Sequence, residues 1–373
     1  MTPARILVVD DESAMLRSVE RILSGEHEVR SSLSPDEALE IAREFKPHVA
    51  VVDIRMEGMD GFKLMNALKR IDEDVQVILM TGSVFDVDQK LIRAIREKAF
   101  YYINKPFDRE VLRTLVNRCL ELRRAEDANR KYVAHLEGQL AEVRAFQKSM
   151  LPAQAADLEG FTVVAAHRPT VELAGDLYDY ARAGEGTVAA LIADVVGHGA
   201  SAAMLTGIVK SAFRSSFGDA YDPSAVVERV SEGISAFGSD RFVTLICVRI
   251  SARDNLLEFV NAGHEGGLLR EADGSIRSLE STGPLISPAL PGSKWEVERA
   301  AWDDGSTLLL YTDGILEASD DVGIFGADRI GALLARFPGD GKRLIEAILE
   351  EVGRFSGGRP PADDMTLLKV GRD

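Results

Sequence analysis

The sequence predicts an α/β protein built from a doubly wound parallel-sheet domain, a helical coiled-coil linker and an α+β domain. Three observations support this division. Short β-branched runs alternate with amphipathic stretches over residues 1–120, a heptad pattern continues over 121–150, and closely spaced strand-like runs fill residues 151–373. A chain of 373 residues, 46% of them hydrophobic, is long enough for two or three domains with their own cores.

Four short apolar runs in the first segment predict buried parallel strands. They lie at residues 6–9, 49–52, 75–80 and 100–103, and a weaker fifth run lies near Val29. Amphipathic stretches separate them, and one of these begins with the cap-like sequence Ser34-Pro35. Five strands alternating with five helices indicate a doubly wound sheet, in which the carboxyl ends of the strands share one edge.

The linker carries apolar or small residues at spacings of three and four, which predicts a coiled-coil seam. The seam positions are 112, 115, 119, 122, 133, 136, 140, 143 and 150. Glu126, Asn129 and Gln147 interrupt the seam, and polar seam residues can fix register and favour dimers. We expect a homodimer through this helix; the alternative is a helix that packs on its own two domains. Pro152 ends the helix.

Charge and cysteine content narrow the class of protein. The chain has 60 acidic and 44 basic residues, and residues 151–373 hold 34 of the acids and 20 of the bases. This excess argues against nucleic-acid or anionic-membrane binding, since both require clustered Lys and Arg. Only Cys119 and Cys247 are present, and no run approaches 18 apolar residues. We therefore expect a cytoplasmic protein without a membrane span.

Polar residues follow successive strands of the first domain. Asp10-Asp11 follow the first strand, Asp53 the third, Thr81 the fourth and Lys105 the fifth. The strand ends meet at one edge, where clustered carboxylates require a cation, and oxygen ligands of this kind suit Mg²⁺. The pattern predicts a Mg²⁺ site with a hydroxyl and an ammonium group beside it.

In this order these residues resemble a response-regulator receiver domain over residues 1–120. The resemblance implies that a partner histidine kinase phosphorylates Asp53, that Thr81 and Lys105 contact the phosphoryl group, and that Tyr102 is the switch aromatic. The Mg²⁺ ligands it implies are Asp10, Asp11, Asp53 and the backbone carbonyl of Arg55. The sequence departs from the family at Glu57, where Pro is common.

Four aspartate clusters beside glycines or turns mark the last domain. They lie at residues 175–179, 194–199, 312–314 and 363–366. Asp194 and Asp313 follow apolar runs, whereas Asp363 and Asp364 precede one, so all four belong at strand ends. One Asp-Gly pair alone is more often a turn. Four such clusters together favour a site for two divalent metals.

Six ordered stretches resemble the bacterial branch of PP2C-type protein phosphatases, the SpoIIE and RsbU group. They lie at 150–152, 174–179, 194–199, 261–264, 311–318 and 363–366. The resemblance implies a fold in which helices flank an antiparallel β-sandwich. It also implies an enzyme that hydrolyses phosphoserine or phosphothreonine with two Mn²⁺ or Mg²⁺ ions.

The same resemblance assigns residue roles. The catalytic metal ligands it implies are Asp176, Asp194, Asp313 and Asp363, with the backbone carbonyl of Val195. Asp364 is the second choice as a metal ligand, because distant relatives have Asn at this position. Asp179 is expected to support the ligands without contacting the metal. His198 suits a structural or substrate-side role, and His264 suits packing at least as well as catalysis. The sequence does not identify the general acid.

Together the two resemblances predict a receiver-gated protein serine/threonine phosphatase. The expected substrate is a phosphoserine on an anti-anti-sigma (STAS) protein, and the linker helix would carry the signal from Asp53. The alternative is an adaptor whose phosphatase-like domain is non-catalytic and binds a sigma-pathway protein. A DNA-binding response regulator is disfavoured, because the output half has no basic recognition helix.

Overall fold

The computed structural model describes residues 3–82, 101–170, 173–197, 199–321, 323–337 and 339–372. The chain divides into two compact units, Met1–Glu137 and Gly138–Asp373. The division falls inside one long helix, α4, which spans Arg109–Met150. The domain boundaries expected after residues 120 and 150 remain predictions.

The N-terminal unit contains a five-stranded parallel sheet with strand order β2-β1-β3-β4-β5. Its strands are β1 (Arg5–Val9), β2 (Glu28–Ser32), β3 (Val49–Asp53), β4 (Gln76–Thr81) and β5 (Tyr101–Asn104). The order reverses between β1 and β3, which is the topological switch point of a doubly wound sheet. The predicted fold class is confirmed here; the helix expected between β4 and β5 lies outside the described residues.

Helices cover both faces of this sheet. They are α1 (Ser13–Leu23), α2 (Pro35–Phe45) and α3 (Gly61–Ile71). The helix α1 and the start of α4 pack on one face, and α2 and α3 pack on the other. The predicted start of α2 is correct, because the Ser34 hydroxyl accepts a hydrogen bond from the Glu37 N–H at 3.3 Å and Pro35 is the first helical residue.

The long helix α4 changes character along its length. Its first turns bury Leu112, Val116 and Cys119 in the core of the N-terminal unit. Beyond them, Arg123 pairs with Asp72 at 2.9 Å. The apolar side chains from residue 132 to residue 146 are exposed, and the large ones are Tyr132, Val133, Leu136, Leu140, Val143 and Phe146. The uncovered part of the predicted seam is therefore confined to the second half of the helix.

Two of the polar seam residues have partners in their own compact unit. The Glu126 carboxylate accepts a hydrogen bond from the Gln76 side chain at 3.2 Å. The Gln147 side chain bonds the backbone of Ala174. Within the described ranges, none of the helices combines the length and apolarity that a bilayer crossing requires.

The C-terminal unit is a sandwich of two antiparallel sheets. The first sheet has the order β14-β11-β10-β9-β8 and the second β13-β12-β15-β16-β7-β6. The strands are β6 (Ala155–Asp157), β7 (Phe161–Arg168), β8 (Asp176–Gly184), β9 (Thr187–Val195), β10 (Val243–Ser251), β11 (Leu256–Ala262), β12 (Gly267–Arg270), β13 (Ile276–Ser278), β14 (Glu298–Ala301), β15 (Thr307–Tyr311) and β16 (Met365–Arg372). The strands alternate residues between an inner and an outer face, and the inner residues of both sheets form one core.

Helices cover the outer faces of this sandwich. The helices α5 (Ala200–Ser215) and α6 (Pro223–Ile234) pack on the first sheet. On the second sheet pack α8 (Ala327–Arg336) and α9 (Gly341–Phe355), and the short α7 (Asp313–Leu316) directly follows β15. The predicted helix-flanked antiparallel sandwich is confirmed.

Asp179 on β8 forms ion pairs that hold α5 against the first sheet. Its side chain is fully buried and pairs with Lys210 at 2.7 Å and Arg214 at 2.5 Å, both on α5. A buried carboxylate with two cationic partners is costly to disturb, since removing one member leaves an uncompensated charge. These contacts give Asp179 a structural role.

Candidate phosphoacceptor and metal sites

The carboxyl ends of β1 and β3 and the residue after β5 build the first site. The Lys105 ammonium lies 2.5 Å from Asp10 Oδ2 and 2.8 Å from Asp53 Oδ1, and both aspartates are buried. The Arg55 N–H donates to Asp53 Oδ2 at 3.0 Å. Burial raises the pKa of Asp53, and the hydrogen bond and charge of Lys105 oppose this rise.

Gly61 allows helix α3 to approach the end of β3. A Cβ atom at this position would lie 2.3 Å from the backbone carbonyl oxygen of Asp53, so no other residue fits without a shift of the backbone. The Asp60 carboxylate caps the same helix by accepting from the Lys63 N–H at 2.8 Å. Sequence reasoning missed Gly61, although its place after a capping Asp was a usable signal.

The remaining predicted receiver residues differ in their burial and in their contacts. Thr81 is buried at the end of β4, and the Lys105 N–H donates to its carbonyl at 2.7 Å. Asp11 is exposed at the same edge. The Tyr102 hydroxyl is buried and has no hydrogen-bond partner among residues 3–82 and 101–170. The structure thus brings Asp10, Asp53, Thr81 and Lys105 together. Mg²⁺ ligation by Asp10, Asp11, Asp53 and the Arg55 carbonyl remains a prediction.

The second site lies where strands of both sheets of the C-terminal unit end. Asp176 on β8 is the direct partner of Asp194 on β9. Asp313 follows β15, Asp363 precedes β16, and β15 and β16 are paired neighbours. The predicted acids are therefore brought to neighbouring strand ends in three dimensions.

Repulsion between these acids is visible in their pKa values. Burial, followed by the charges of Asp313, Asp363 and Asp364, raises the pKa of Asp194 to about 7. Burial, followed by the charge of Asp363, raises the pKa of Asp313 to about 6. Like charges in a partly buried site favour a shared cation, and groups with such shifts are common at functional sites.

Asp176 is held by two threonines. One of its oxygens accepts hydrogen bonds from the hydroxyl of Thr312 at 2.7 Å and from that of Thr366 at 2.6 Å. Burial nevertheless raises the pKa of Asp176 well above its usual range. Sequence reasoning gave neither threonine a role, although each lies next to or near a predicted ligand in the aspartate motifs.

Asp364 uses both carboxylate oxygens to hold backbone. Its Oδ1 accepts from the N–H of Thr170 at 2.7 Å and from the Thr170 hydroxyl at 3.0 Å, and its Oδ2 accepts from the Gly175 N–H at 2.9 Å. Gly175 in turn lies so close to Val195 that a Cβ atom would be 2.6 Å from the Val195 carbonyl oxygen. Asp364 therefore positions the segment that carries Asp176, and metal ligation by Asp364 stays a prediction.

The donor chemistry of the cluster fits a divalent metal ion. The predicted ligands are carboxylates and one backbone carbonyl, the hard oxygen donors that Mg²⁺ and similar cations prefer. A cation would also relieve the repulsion that raises the pKa values of Asp194 and Asp313. In the part of the chain that the structure describes, no three Asp, Glu, His or Cys side chains already converge as a complete metal-binding group.

His264 is a buried connector. Its Nδ1 lies 2.9 Å from the Thr244 hydroxyl, and its Nε2 lies 3.0 Å from the Tyr311 carbonyl oxygen. Burial lowers the pKa of His264 to about 4. Because both ring nitrogens have partners and the ring stays neutral at pH 7, the structure favours packing over catalysis. His198, the other histidine considered, lies outside the described residues.

We expect His264 to make folding stability depend on pH. Its pKa is about 4 in the folded chain and about 6.5 in an unfolded chain. Between pH 4 and 6.5 the unfolded state therefore binds more protons than the folded state does. The free energy of unfolding is highest above pH 6.5 and falls by about 3 kcal/mol as the pH is lowered through 4. Urea unfolding of the wild type and His264→Gln at pH 7.5, 5.5 and 4.5 measures this, because the difference between them should shrink on acidification. Parallel pH curves would show that His264 makes no such contribution.

The fold and both sites define the class of protein: a receiver domain followed by a PP2C-type domain. The chain belongs to the SpoIIE family, because the family model for Stage II sporulation protein E matches residues 184–373. The family model for the response regulator receiver domain matches residues 6–117.

Two known proteins are similar to this chain in sequence over part of their length. The protein IcfG of Synechocystis sp. is 26% identical over 63% of this chain and 42% of its own length. Phosphoserine phosphatase RsbP of Bacillus subtilis is 28% identical over 41% of this chain and 39% of its own length. The chain thus spans about two fifths of the length of these relatives.

A solved PP2C domain has a similar fold. The SiaA-PP2C domain of Pseudomonas aeruginosa superposes with a TM-score of 0.56 at 19% identity, over 64% of this chain and 98% of that domain. At that identity the likeness concerns the fold.

Proposed function

We propose that this chain is a metal-dependent protein serine/threonine phosphatase whose rate is controlled by phosphorylation of Asp53. The observation that carries the catalytic part is the cluster of acids at the strand ends, where neighbouring charges help raise the pKa values of Asp194 and Asp313. Membership of the SpoIIE family supports the same activity.

The chain's own residues have separate tasks in this proposal. The side chains that would hold divalent cations are Asp176, Asp194, Asp313 and Asp363, with the carbonyl of Val195. Such cations, when bound, supply positive charge that stabilises the transferring phosphoryl group. The hydroxyls of Thr312 and Thr366 orient Asp176, and Asp364 holds the backbone before it.

The proposed substrate is a phosphoserine on a partner protein. The name of the similar protein RsbP, a phosphoserine phosphatase, supports this choice. The likeness to the RsbU group extends it to a STAS-type anti-anti-sigma protein. A histidine kinase is the proposed partner of the receiver domain, whose family model matches residues 6–117.

The catalytic proposal is tested by incubating the full chain with phosphorylated STAS proteins and phosphoserine peptides, with Mn²⁺, with Mg²⁺ or with chelator. We expect phosphate release that depends on a divalent cation. Partner binding without release under any of these conditions would favour the non-catalytic adaptor.

The end of α4 offers a connection to the acid cluster. The Gln147 side chain donates to the Ala174 carbonyl at 2.7 Å and accepts from the Ala174 N–H at 3.1 Å. Ala174 is followed by Gly175 and Asp176, so a displacement of the last turns of α4 would move the backbone that carries a proposed ligand. This contact supports control of the metal site through the helix.

The exposed seam of α4 supports a homodimer. Val133, Leu136, Leu140 and Val143 repeat at spacings of three, four and three, and each is more than a third exposed. A second copy of the same helix could cover this stripe by knobs-into-holes packing.

We expect the double substitution Leu136→Glu, Leu140→Glu to weaken dimerisation by at least about 100-fold in Kd, because four leucines per dimer would no longer be buried. Sedimentation equilibrium measures the change. Ala134→Glu is the matched control, since Ala134 is exposed on the same helix but outside the stripe. A monomeric wild type, or equal dimerisation of all three proteins, would refute the dimer.

A further inference from the structure

A pocket of about 280 Å³ adjoins the acid cluster on one side. It lies between α9, the loop that follows α9, and α7. Asp363 and Gly314 are among the residues that line it, whereas Asp176 and Asp194 are not part of its wall. The pocket is thus continuous with the proposed metal site without being the metal site. Its volume suits one or two side chains and is small for a whole ligand of drug size.

The pocket has apolar wall and an exposed rim with charges of both signs, from Arg168, Arg359, Glu317 and Asp363. Leu349, Val352 and Met365 contribute apolar wall, and Arg168 and Arg359 stand beside them. Arg359 already pairs with Asp321 at 2.6 Å. Within the ranges that the structure describes, the exposed guanidinium of Arg168 has neither an ion pair nor a hydrogen bond.

The position of Arg168 relative to the acids is set by the sheet. Arg168 ends β7 and is the direct partner of Met365, the first residue of β16. Asp363 lies two residues before Met365 along the same chain segment. An unpaired cation therefore stands next to a cluster of carboxylates in a domain with 34 acidic and 20 basic residues. Such a charge attracts an acidic group that approaches the cluster from the pocket side.

We propose that this pocket binds the segment of the protein substrate that flanks the phosphoserine. An apolar side chain of that segment fills the pocket, and an acidic residue beside it pairs with Arg168. The inference rests on the proposed phosphatase function and adds a substrate preference to it. A flanking segment fits better than the phosphoryl group, because the pocket offers apolar wall beside the unpaired Arg168 and the phosphoryl group belongs at the acids.

The preference is measured with the full chain, Mn²⁺ and phosphoserine peptides whose three neighbours on each side are Leu, Asp, Lys or Ser in varied combinations. We expect the wild type to prefer peptides with Leu and Asp by at least about 10-fold in kcat/KM over peptides with Ser and Lys. Arg168→Glu should invert the choice between Asp and Lys, since the charge at the rim is reversed. Arg253→Glu is the matched control, because Arg253 is exposed on the turn between β10 and β11.

Gly353 allows the pocket itself to be filled. It lies on α9 at the pocket wall, and a Cβ atom there would meet nothing within 4 Å. Leucine favours a helix more than glycine does, so Gly353→Leu should unfold at no lower temperature than the wild type. We expect it to lose the preference for Leu-containing peptides, and Gly353→Ala to lose less of it.

Three results would contradict the proposal that the pocket binds the flanking segment. They are a wild type that does not discriminate among the peptides, an Arg168→Glu variant that slows all peptides equally, and a Gly353→Leu variant that keeps the full preference for Leu. Hydrolysis of p-nitrophenyl phosphate by the wild type separates these from failure of the proposed function. A wild type that hydrolyses neither this compound nor any peptide with Mn²⁺ would overturn the phosphatase and the pocket together.

Discussion

Asp194→Asn is expected to lower the phosphatase kcat by at least about 1,000-fold, which corresponds to about 4 kcal/mol of lost transition-state stabilisation. The reason is that Asp194 lies at the centre of the acid cluster. It stands opposite Asp176 on the neighbouring strand, and burial, followed by the charges of Asp313 and Asp363, raises its pKa. An amide is a poorer ligand for a divalent cation than a carboxylate. The measurement is Mn²⁺-dependent release of phosphate from a phosphoserine peptide.

The same substitution should not damage the fold. Because the pKa of Asp194 is raised to about 7, ionisation of this group opposes folding increasingly as the pH rises from about 4 through 7. In the presence of chelator, Asp194→Asn should therefore be more stable than the wild type at pH 8, by up to about 4 kcal/mol, with a smaller difference at pH 5. Asp273→Asn, on an exposed turn, is the matched control. Full activity of Asp194→Asn would contradict its role as a ligand, and unfolding at neutral pH would contradict the repulsion.

Asp364→Ala is expected to destabilise the C-terminal unit by about 3 kcal/mol, even with chelator present. The substitution removes the acceptor for the Thr170 N–H, the Thr170 hydroxyl and the Gly175 N–H. A buried donor left without a partner costs about 1–3 kcal/mol. The Gly175 N–H is buried, whereas Thr170 is half-buried and can recover part of its loss from water. Urea unfolding of the full chain measures the loss.

Asp363→Ala provides the comparison for this prediction. Among the described residues, the Asp363 carboxylate has one hydrogen-bond partner, the Asp364 N–H at 2.8 Å, so its loss should abolish activity and change stability little. Asp364→Asn should fall between the two, because its amide oxygen still accepts from Thr170 but its NH₂ group faces the Gly175 N–H. Equal destabilisation by Asp363→Ala and Asp364→Ala would contradict the positioning role of Asp364.

Local sequence pattern was sufficient for the strands and the acids at their ends. The runs that became β1, β3 and β4 are β-branched and bounded by polar residues, so both the strands and the positions of Asp10, Asp53 and Thr81 followed from them. Asp194 and Asp313 were predictable for the same reason, since Asp194 is in the last two residues of β9 and Asp313 comes two residues after β15.

The contacts that hold the acids were not predictable, because they join residues far apart in the chain. Gly175 and Asp364 are separated by 189 positions, and Asp176 and Thr366 by 190. No local pattern shows that a hydroxyl or an N–H will meet a carboxylate at such a distance. Asp179 likewise looked like part of an aspartate motif, and only the packing of α5 reveals that Lys210 and Arg214 surround it.

The heptad pattern of the linker shows a different limit. Spacing alone cannot distinguish a residue that faces a second helix from one that faces its own domain. Leu112 and Cys119 continue the seam in sequence but are buried in the N-terminal unit. Glu126 and Gln147 interrupt it because they bond Gln76 and Ala174. The stripe left for a partner is the stretch between these two polar residues.

Control of the phosphatase by the receiver is tested most directly by its rate with and without a small phosphoryl donor such as acetyl phosphate. The measurement uses one phosphoserine substrate, Mn²⁺, the wild type and Asp53→Asn, with phosphorylation of the wild type verified by mass. A change of at least about fivefold in the wild-type rate, absent from Asp53→Asn, is predicted, since couplings of this kind amount to about 1–3 kcal/mol. Equal rates for phosphorylated and unphosphorylated wild type would contradict the account.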